Sequence, residues 1–214
     1  MMRIDFHNHT RYSSDSMTEP KALADKAKRL GIVPAITDHD TIGAHAELRK
    51  MGAVFIPAQE ASTIAGDLIG LYLSEQLPRK TDFLETLDRI RQQGGLAYLP
   101  HMFDITRAGV AAPEVASKVD IIEIFNARSV RKDFNRKAEE FAKSHKIPGA
   151  AGSDSHFLFE FGTTYTELPD FEISDPKALM KALPKAKIVG KPAPLYVKGT
   201  TTAVKLWKKL TKKR

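Results

Sequence analysis

Five of the seven histidines in this 214-residue chain sit at or just past the ends of short apolar runs: His7, His9, His39, His101 and His156. Asp5-Phe6-His7-Asn8-His9 sets two imidazoles two residues apart. In an extended chain such residues point the same way, so both can reach one metal ion, with Asp5 behind them as a partner. A lone His-x-His also occurs as two ordinary polar residues at a strand exit. In Thr37-Asp38-His39-Asp40-Thr41, Thr41 or Asp40 can cap the next helix, which leaves His39 for chemistry. Glu60 follows the run 54–58 and could bridge two ions, although a single carboxylate there is more often solvated or capping. His101 follows Leu96-Ala97-Tyr98-Leu99-Pro100. Gly152-Ser153-Asp154-Ser155-His156 repeats the two-residue spacing with Asp154 and His156. Each cluster alone is weak evidence, but together they put imidazole and carboxylate donors at the same end of strand after strand. That mixture suits Zn, Mn or Fe. Several such ions side by side suit hydrolysis, one activating water while its neighbour holds a phosphoryl oxygen.

The elements that must position these residues alternate. Strand candidates cover residues 3–6, 33–37, 54–58, 68–73, 96–99, 120–125 and 149–152, with a further strand or ordered loop at 162–168. Helical patterns cover 18–30, 81–93 and 130–146, with a short helix near 176–183. The alternation predicts a parallel sheet with helices outside it, whose strand C-termini gather on one face. A chain of this length can bury a core without cross-links, so a metal here is expected to serve chemistry. There are no cysteines, which excludes disulfides, thiolate metal sites and a cysteine nucleophile. No apolar run has signal-peptide length or approaches the roughly 20 residues of a membrane span, and a cytoplasmic location is expected. The net charge of +7 is concentrated in KLWKKLTKKR at the end, leaving the body near neutral. A long nucleic-acid partner is therefore not expected.

In order and spacing, Asp5-Phe6-His7-Asn8-His9-Thr10, Thr37-Asp38-His39-Asp40, Glu60, Pro100-His101 and Gly152-Ser153-Asp154-Ser155-His156 resemble the motifs of the PHP (polymerase and histidinol phosphatase) superfamily, over residues 1–190. The resemblance implies an α/β fold, a distorted (β/α)7 TIM-like barrel, with two or three divalent metal ions. It implies His7, His9, Glu60 and Asp154 around one ion, Glu60 and His101 around a second with Glu60 bridging, and Asp15, His39 and His156 around a third. Asp15 enters through the resemblance alone; by itself it reads as a turn residue. Many members place another histidine after the sixth strand. Here Ile122-Glu123-Ile124-Phe125-Asn126-Ala127-Arg128 has none, so Asn126 is the expected substitute, with Glu123 as the other candidate. An amide is the poorer ligand, so a weaker second ion or a smaller set of ions is expected.

Arg107 and Arg128 lie on loops after site-bearing strands and read either as phosphate binders or as solvated loop arginines. Asp40 or a metal-bound water could manage the proton. The expected activity is metal-dependent hydrolysis of a small phosphomonoester or nucleotide phosphate. The alternatives are an exonuclease acting on short DNA or RNA ends, an amidohydrolase, and a non-catalytic metal- or partner-binding module. His45 and His145 are assigned to structure or surface. Residues 191–214 read as a connector and a basic amphipathic tail. Its row Val204, Trp207 and Leu210 is expected to dock on the barrel with the lysines solvated, a membrane-surface or nucleic-acid contact being the sharper alternative.

Overall fold

The computed structural model describes residues 1–110, 112–129 and 131–211. In chain order the elements are β1 (Met2–Asn8), α1 (Pro20–Leu30), β2 (Val33–Ile36), α2 (Ala44–Lys50), β3 (Ile56–Ser62), β4 (Asp67–Leu71), α3 (Phe83–Gln92), β5 (Leu96–Leu99), α4 (Pro113–Ala116), β6 (Ile121–Asn126), α5 (Lys132–His145), β7 (Gly149–Gly152), β8 (Thr164–Leu168), α6 (Pro176–Ala182), β9 (Lys187–Gly190) and α7 (Thr200–Thr211). Local signals account for the helix ends. Pro20 starts α1 and Gly31 stops it at φ 62°, a left-handed turn that glycine adopts without strain. The Asp82 side chain accepts from the amides of Leu84 and Glu85 to open α3. The helix expected over 130–146 is α5; Val130 itself lies outside the described residues.

The strands form one sheet in the order β7-β6-β5-β4-β3-β2-β1-β8-β9. The first seven in sequence curl into a nearly closed barrel. The seam is short: the Asp154 amide donates to the His7 carbonyl at 2.8 Å, and the His9 amide to the Ser155 carbonyl at 2.9 Å. β1 thus serves two edges. Its first half, Met2–Ile4, pairs with β8, and its second half meets the loop after β7.

The expectation of an all-parallel sheet is corrected at β4, which runs antiparallel to β3 and β5. Four residues, Thr63 to Gly66, join β3 to β4, and the Thr63 amide closes on the Gly66 carbonyl at 3.0 Å. A crossover to a parallel strand needs a dozen residues or more, so the chain must turn straight back. β8 and β9 are antiparallel additions. The reversal brings the first residue of β4, Asp67, to the rim where the neighbouring strands end.

Ile4, Phe6, Ile56, Ile69, Tyr98 and Ile121 belong to one buried cluster, joined by Leu179 and Leu183. Phe6 and Tyr98 stack across it at 5.8 Å. Separate clusters pack α3 and α5, and α1 and α2, on the outside. Each large side chain so buried contributes about 1.5–3 kcal/mol.

The tail departs from its expected docking. α7 forms, but none of its described residues is buried, and Trp207 and Leu210 stay 53% and 62% exposed. The lysines hold it instead. Lys208 Nζ donates to the carbonyls of Arg11, Ser13 and Ser16 at 2.6–2.8 Å, and Lys205 Nζ lies 3.0 Å from Asp15. The loop after β1 offers carbonyls and a carboxylate, which lysine heads satisfy better than an apolar row. No helix among the described residues is long and apolar enough to cross a membrane.

Candidate metal centre

β1 is the spine of the site. Its pairing with β2 shifts register between Asp5 and Asn8, and His7 and His9 follow that irregularity into the cluster. His7 Nδ1 is 3.0 Å from Glu123 Oε1, which leaves Nε2 facing His9 Nε2 at 3.1 Å and Glu60 Oε2 at 3.2 Å. His9 is oriented by Ser13 Oγ at 3.0 Å from its Nδ1. Ser13 in turn donates to the buried Asp38, which also accepts from the amide and hydroxyl of Thr10. Asp5 does not back the imidazoles, as its place in the sequence suggested. It accepts from the amides of His7 and Ser153, and the imidazole partner is Glu123 of β6.

Glu60, within β3, collects donors on both oxygens. Oε2 lies 3.1–3.3 Å from nitrogens of His7, His9 and His39, and Oε1 lies 3.0 Å from His101 Nε2. His39 and His156 each turn Nε2 to Asp15 at 3.4 Å. Asp154 Oδ1 has His156, His9 and His7 nitrogens at 3.4, 3.6 and 3.8 Å, yet no hydrogen bond reaches it among the described residues. Asp15 Oδ1 is likewise buried without a hydrogen bond.

These distances test whether metal ions fit. Donors bound about 2.1 Å from one ion stand roughly 3.0–3.4 Å apart in octahedral or tetrahedral arrangements. The His7, His9 and Glu60 atoms match that spacing. Three overlapping sets of donors can each converge on a point: His9, His39 and His156; His7, His9 and Glu60; and Glu60, Asp67 and His101. The protonation tendencies are divided: His9, Glu60 and Asp154 lean toward the forms that bind cations, whereas the carboxylates around them raise His7 and lift His39 to about 9 against the effect of burial. Burial, then the neighbouring imidazoles of His156 and His39, push His9 well below the usual imidazole range. Burial opposes ionised Glu60, but His39 and His7 hold its pKa well below normal. Asp154 is held down in the same way, by Arg107 first and then His7. Neutral imidazoles and ionised carboxylates are the forms that bind cations. For His7, burial is outweighed by Asp154, Glu60 and Glu123, which raise its pKa.

His7, His9, Asp15, His39, Glu60, His101, Asp154 and His156 all converge here. Asn126 is adjacent but committed. Its Nδ2 donates to Glu123 Oε2 and Asp154 Oδ2, and its Oδ1 accepts from Arg107 and from the Arg128 amide. Both ends of the amide are used in these hydrogen bonds. Glu123 is also occupied, by His7, Tyr98, the His101 amide and Asn126. The residue that joins Glu60 and His101 is Asp67, which the sequence reading missed. The four-residue link 63–66 was the available clue, because it forces β4 to begin at the rim. Burial, then the charge of Glu60, lifts the Asp67 carboxyl to about 7.

Arg107 ion-pairs with Asp154 and lines a cleft of about 490 Å³, together with Asp15, His39, Asp67, His101 and Lys205. Arg128 also borders it, but Glu160 holds its guanidinium at 2.8 and 3.2 Å, so it is a buried tie and not a solvated arginine. Asp40 is not brought into the cleft. Its carboxylate accepts from the amide and hydroxyl of Ser62 and faces Arg79, securing the end of β3. His45 is buried and bonds the Ala58 carbonyl. His145 is exposed and stacks on Phe141.

Known proteins resemble this chain in sequence and in fold. A family model described as PHP-associated matches residues 132–188. An uncharacterised protein of Methanocaldococcus jannaschii is 38% identical over 186 residues, 83% of this chain and 75% of that protein. A two-domain protein of Bacteroides vulgatus, containing a predicted PHP-like metal-dependent phosphoesterase, superposes with a TM-score of 0.70 at 18% identity. The alignment covers 89% of this chain and 65% of that one, so this chain spans less than two thirds of the Bacteroides protein. An amidohydrolase of Chromobacterium violaceum with bound sulfate and no metal superposes with a TM-score of 0.60 at 17% identity, over 89% and 98% of the two chains. At these identities the two structures establish the fold.

Proposed function

Because the chain belongs to the PHP superfamily, we propose that it is a metal-dependent phosphoesterase that hydrolyses a small phosphomonoester or nucleotide phosphate. The observation that carries this reading is Glu60, whose one oxygen faces three imidazoles while the other faces His101. A carboxylate so placed can bridge two cations, and paired cations suit phosphoryl transfer. In this proposal His7, His9, Glu60 and Asp154 hold one divalent ion. Glu60, His101 and Asp67 hold a second, and Asp15, His39 and His156 a third, with Zn, Mn or Fe as candidates. When bound, the ions supply Lewis acidity toward phosphoryl oxygens and make water available as a nucleophile.

The protein's own part is positioning. Arg107, at the cleft, presents a planar fork of donors suited to a phosphoryl group. Glu123 fixes the tautomer of His7, and Ser13 that of His9, so that each turns its Nε2 inward. Domain 1–190 carries the site, with 191–214 as its C-terminal appendage. The near-neutral body and the small cleft favour a small substrate over long nucleic acid. The lack of cysteine is in keeping with the cytoplasm.

The test is elemental analysis beside hydrolysis of an aryl phosphate and of nucleotide phosphates, with added Mn or Zn, for wild type and Asp154→Ala. Two or three bound ions, with hydrolysis abolished in the variant, are expected. Protein that binds metal but cleaves amides and no phosphoester would overturn the reading in favour of an amidohydrolase. Protein that binds no metal would favour a partner-binding module.

A further inference from the structure

The C-terminal helix makes a wall of the cleft, and one of its lysines points a charge into it. Lys208 Nζ spends its three donors on the carbonyls of Arg11, Ser13 and Ser16, all in the loop that carries Asp15. The run into α7 is tied down as well, by the Ala193 amide on the Ala127 carbonyl and by Arg128 Nη2 on the Val197 carbonyl. Lys205 lies three residues before Lys208, on the same helix face. Its side chain is half exposed, and its Nζ is 3.0 Å from Asp15 Oδ2. Thr201 and Thr202 line the same wall. Among the described residues, the arginine and lysine side chains that border the cleft are Arg107, Arg128 and Lys205. Arg128 is matched by both oxygens of Glu160, and Arg107 is part-buried and paired with Asp154 and Asn126. Among the described residues, Lys205 is the most exposed of the three, with one ion-pair partner for its three donors.

We infer that Lys205 is a substrate-binding residue: its ammonium, delivered over the cleft by α7, holds the anionic oxygens of a small phosphoester. The inference rests on the phosphoesterase reading for the substrate class, and on the Lys205 and Lys208 contacts for the residue. An ammonium serves phosphate as a mobile point charge. The helix thus lines the cleft beside Asp15 through Thr201, Thr202 and Lys205.

The experiment compares metal-loaded, full-length wild type with Lys205→Met and Lys205→Arg. Inorganic phosphate binding is measured by calorimetry, kcat and KM on an aryl phosphate, and metal content by elemental analysis. A hydrogen bond to a charged group in a half-exposed position corresponds to about a tenfold change in binding. Lys205→Met is expected to weaken phosphate and raise KM by that factor, with kcat within about threefold and metal content unchanged. Lys205→Arg is expected to restore most of the loss. Unchanged phosphate affinity in Lys205→Met would overturn the inference, as would no rescue by arginine. A loss of metal in Lys205→Met would overturn it too, by showing that the lysine acts through Asp15. If wild type hydrolyses no phosphoester yet binds phosphate in a Lys205-dependent way, the phosphoesterase reading falls and the anion site stands.

Discussion

Glu123→Gln swaps one atom in a buried carboxylate with four hydrogen-bond partners. Glu123 Oε1 accepts from His7 Nδ1 at 3.0 Å and Tyr98 OH at 3.1 Å. Oε2 accepts from the His101 amide at 2.7 Å and Asn126 Nδ2 at 2.8 Å. Glutamine has one acceptor end and one donor end, so it must turn its NH₂ toward one of these pairs. The backbone amide of His101 cannot become an acceptor. His7 and Tyr98 can adapt, since a hydroxyl turns and the imidazole, with the Glu123 charge that helps raise its pKa removed, can give up its Nδ1 proton and keep the one on Nε2. The metal-free fold should therefore lose no more than about 2 kcal/mol, the scale of one unmade buried hydrogen bond. That proton on Nε2 then blocks the nitrogen proposed to bind metal. Loss of a partner behind a metal-binding imidazole costs about 10–100-fold in affinity, or about 1.4–2.7 kcal/mol. Calorimetric titration of chelator-treated protein with Zn or Mn, beside urea denaturation of the same samples, separates the two effects. If the variant binds metal as tightly as wild type, Glu123 does not set the tautomer of His7 and the reasoning fails.

Three further outcomes are expected. Asp67→Asn lowers the number of tightly bound ions, whereas Asn126→Ala leaves it unchanged; elemental analysis after desalting distinguishes them, and the opposite pattern would return Asn126 to the ligand set. His45, whose pKa burial depresses to about 4, contributes stability present above its unfolded pKa near 6.5 and lost as pH falls toward 4. Urea titrations at pH 7.5 and 4.5 should show up to about 3 kcal/mol of that loss missing in His45→Gln, and identical losses in both proteins would refute the assignment. In Gly152→Ala the added Cβ would run into Glu123 Oε1 and the Cβ of His7. The expected cost is about 1–3 kcal/mol of stability, typical of overpacking, together with weakened metal binding, and an unaffected melting temperature would count against it.

Most of the donor set was legible because it depends on local rules. His7 and His9, and Asp154 and His156, share two-residue spacing at strand ends, and strand ends in such folds share a rim. Asp15 was legible only by resemblance, since its loop has no periodicity to read. Asp67 was hidden because its place depends on strand direction, which the short 63–66 link decides and apolar content does not. Asn126 was legible as a candidate from its position at the end of β6, whereas its hydrogen bonds to Glu123, Asp154 and Arg107 are tertiary facts. The tail misled for a different reason. Its apolar row fits a docking helix, but lysine stems are long enough to reverse the face, and what they meet is set by a loop nearly 200 residues earlier.

The seam of the barrel has its own consequence. Only a few backbone contacts join the loop after β7 to β1, and they lie at His7, His9, Asp154 and Ser155. Ions held by His7, His9 and Asp154 would act as a clasp across that seam, so the energy of binding would also be energy of closure. Hydrogen exchange should then find the amides of His9 and Asp154 opening together when chelator is added, while those of β5 and β6, on the far side of the barrel, stay protected. Cargo and hinge pin would be the same atoms, and a cell short of metal would hold a barrel that comes unfastened at its own active site.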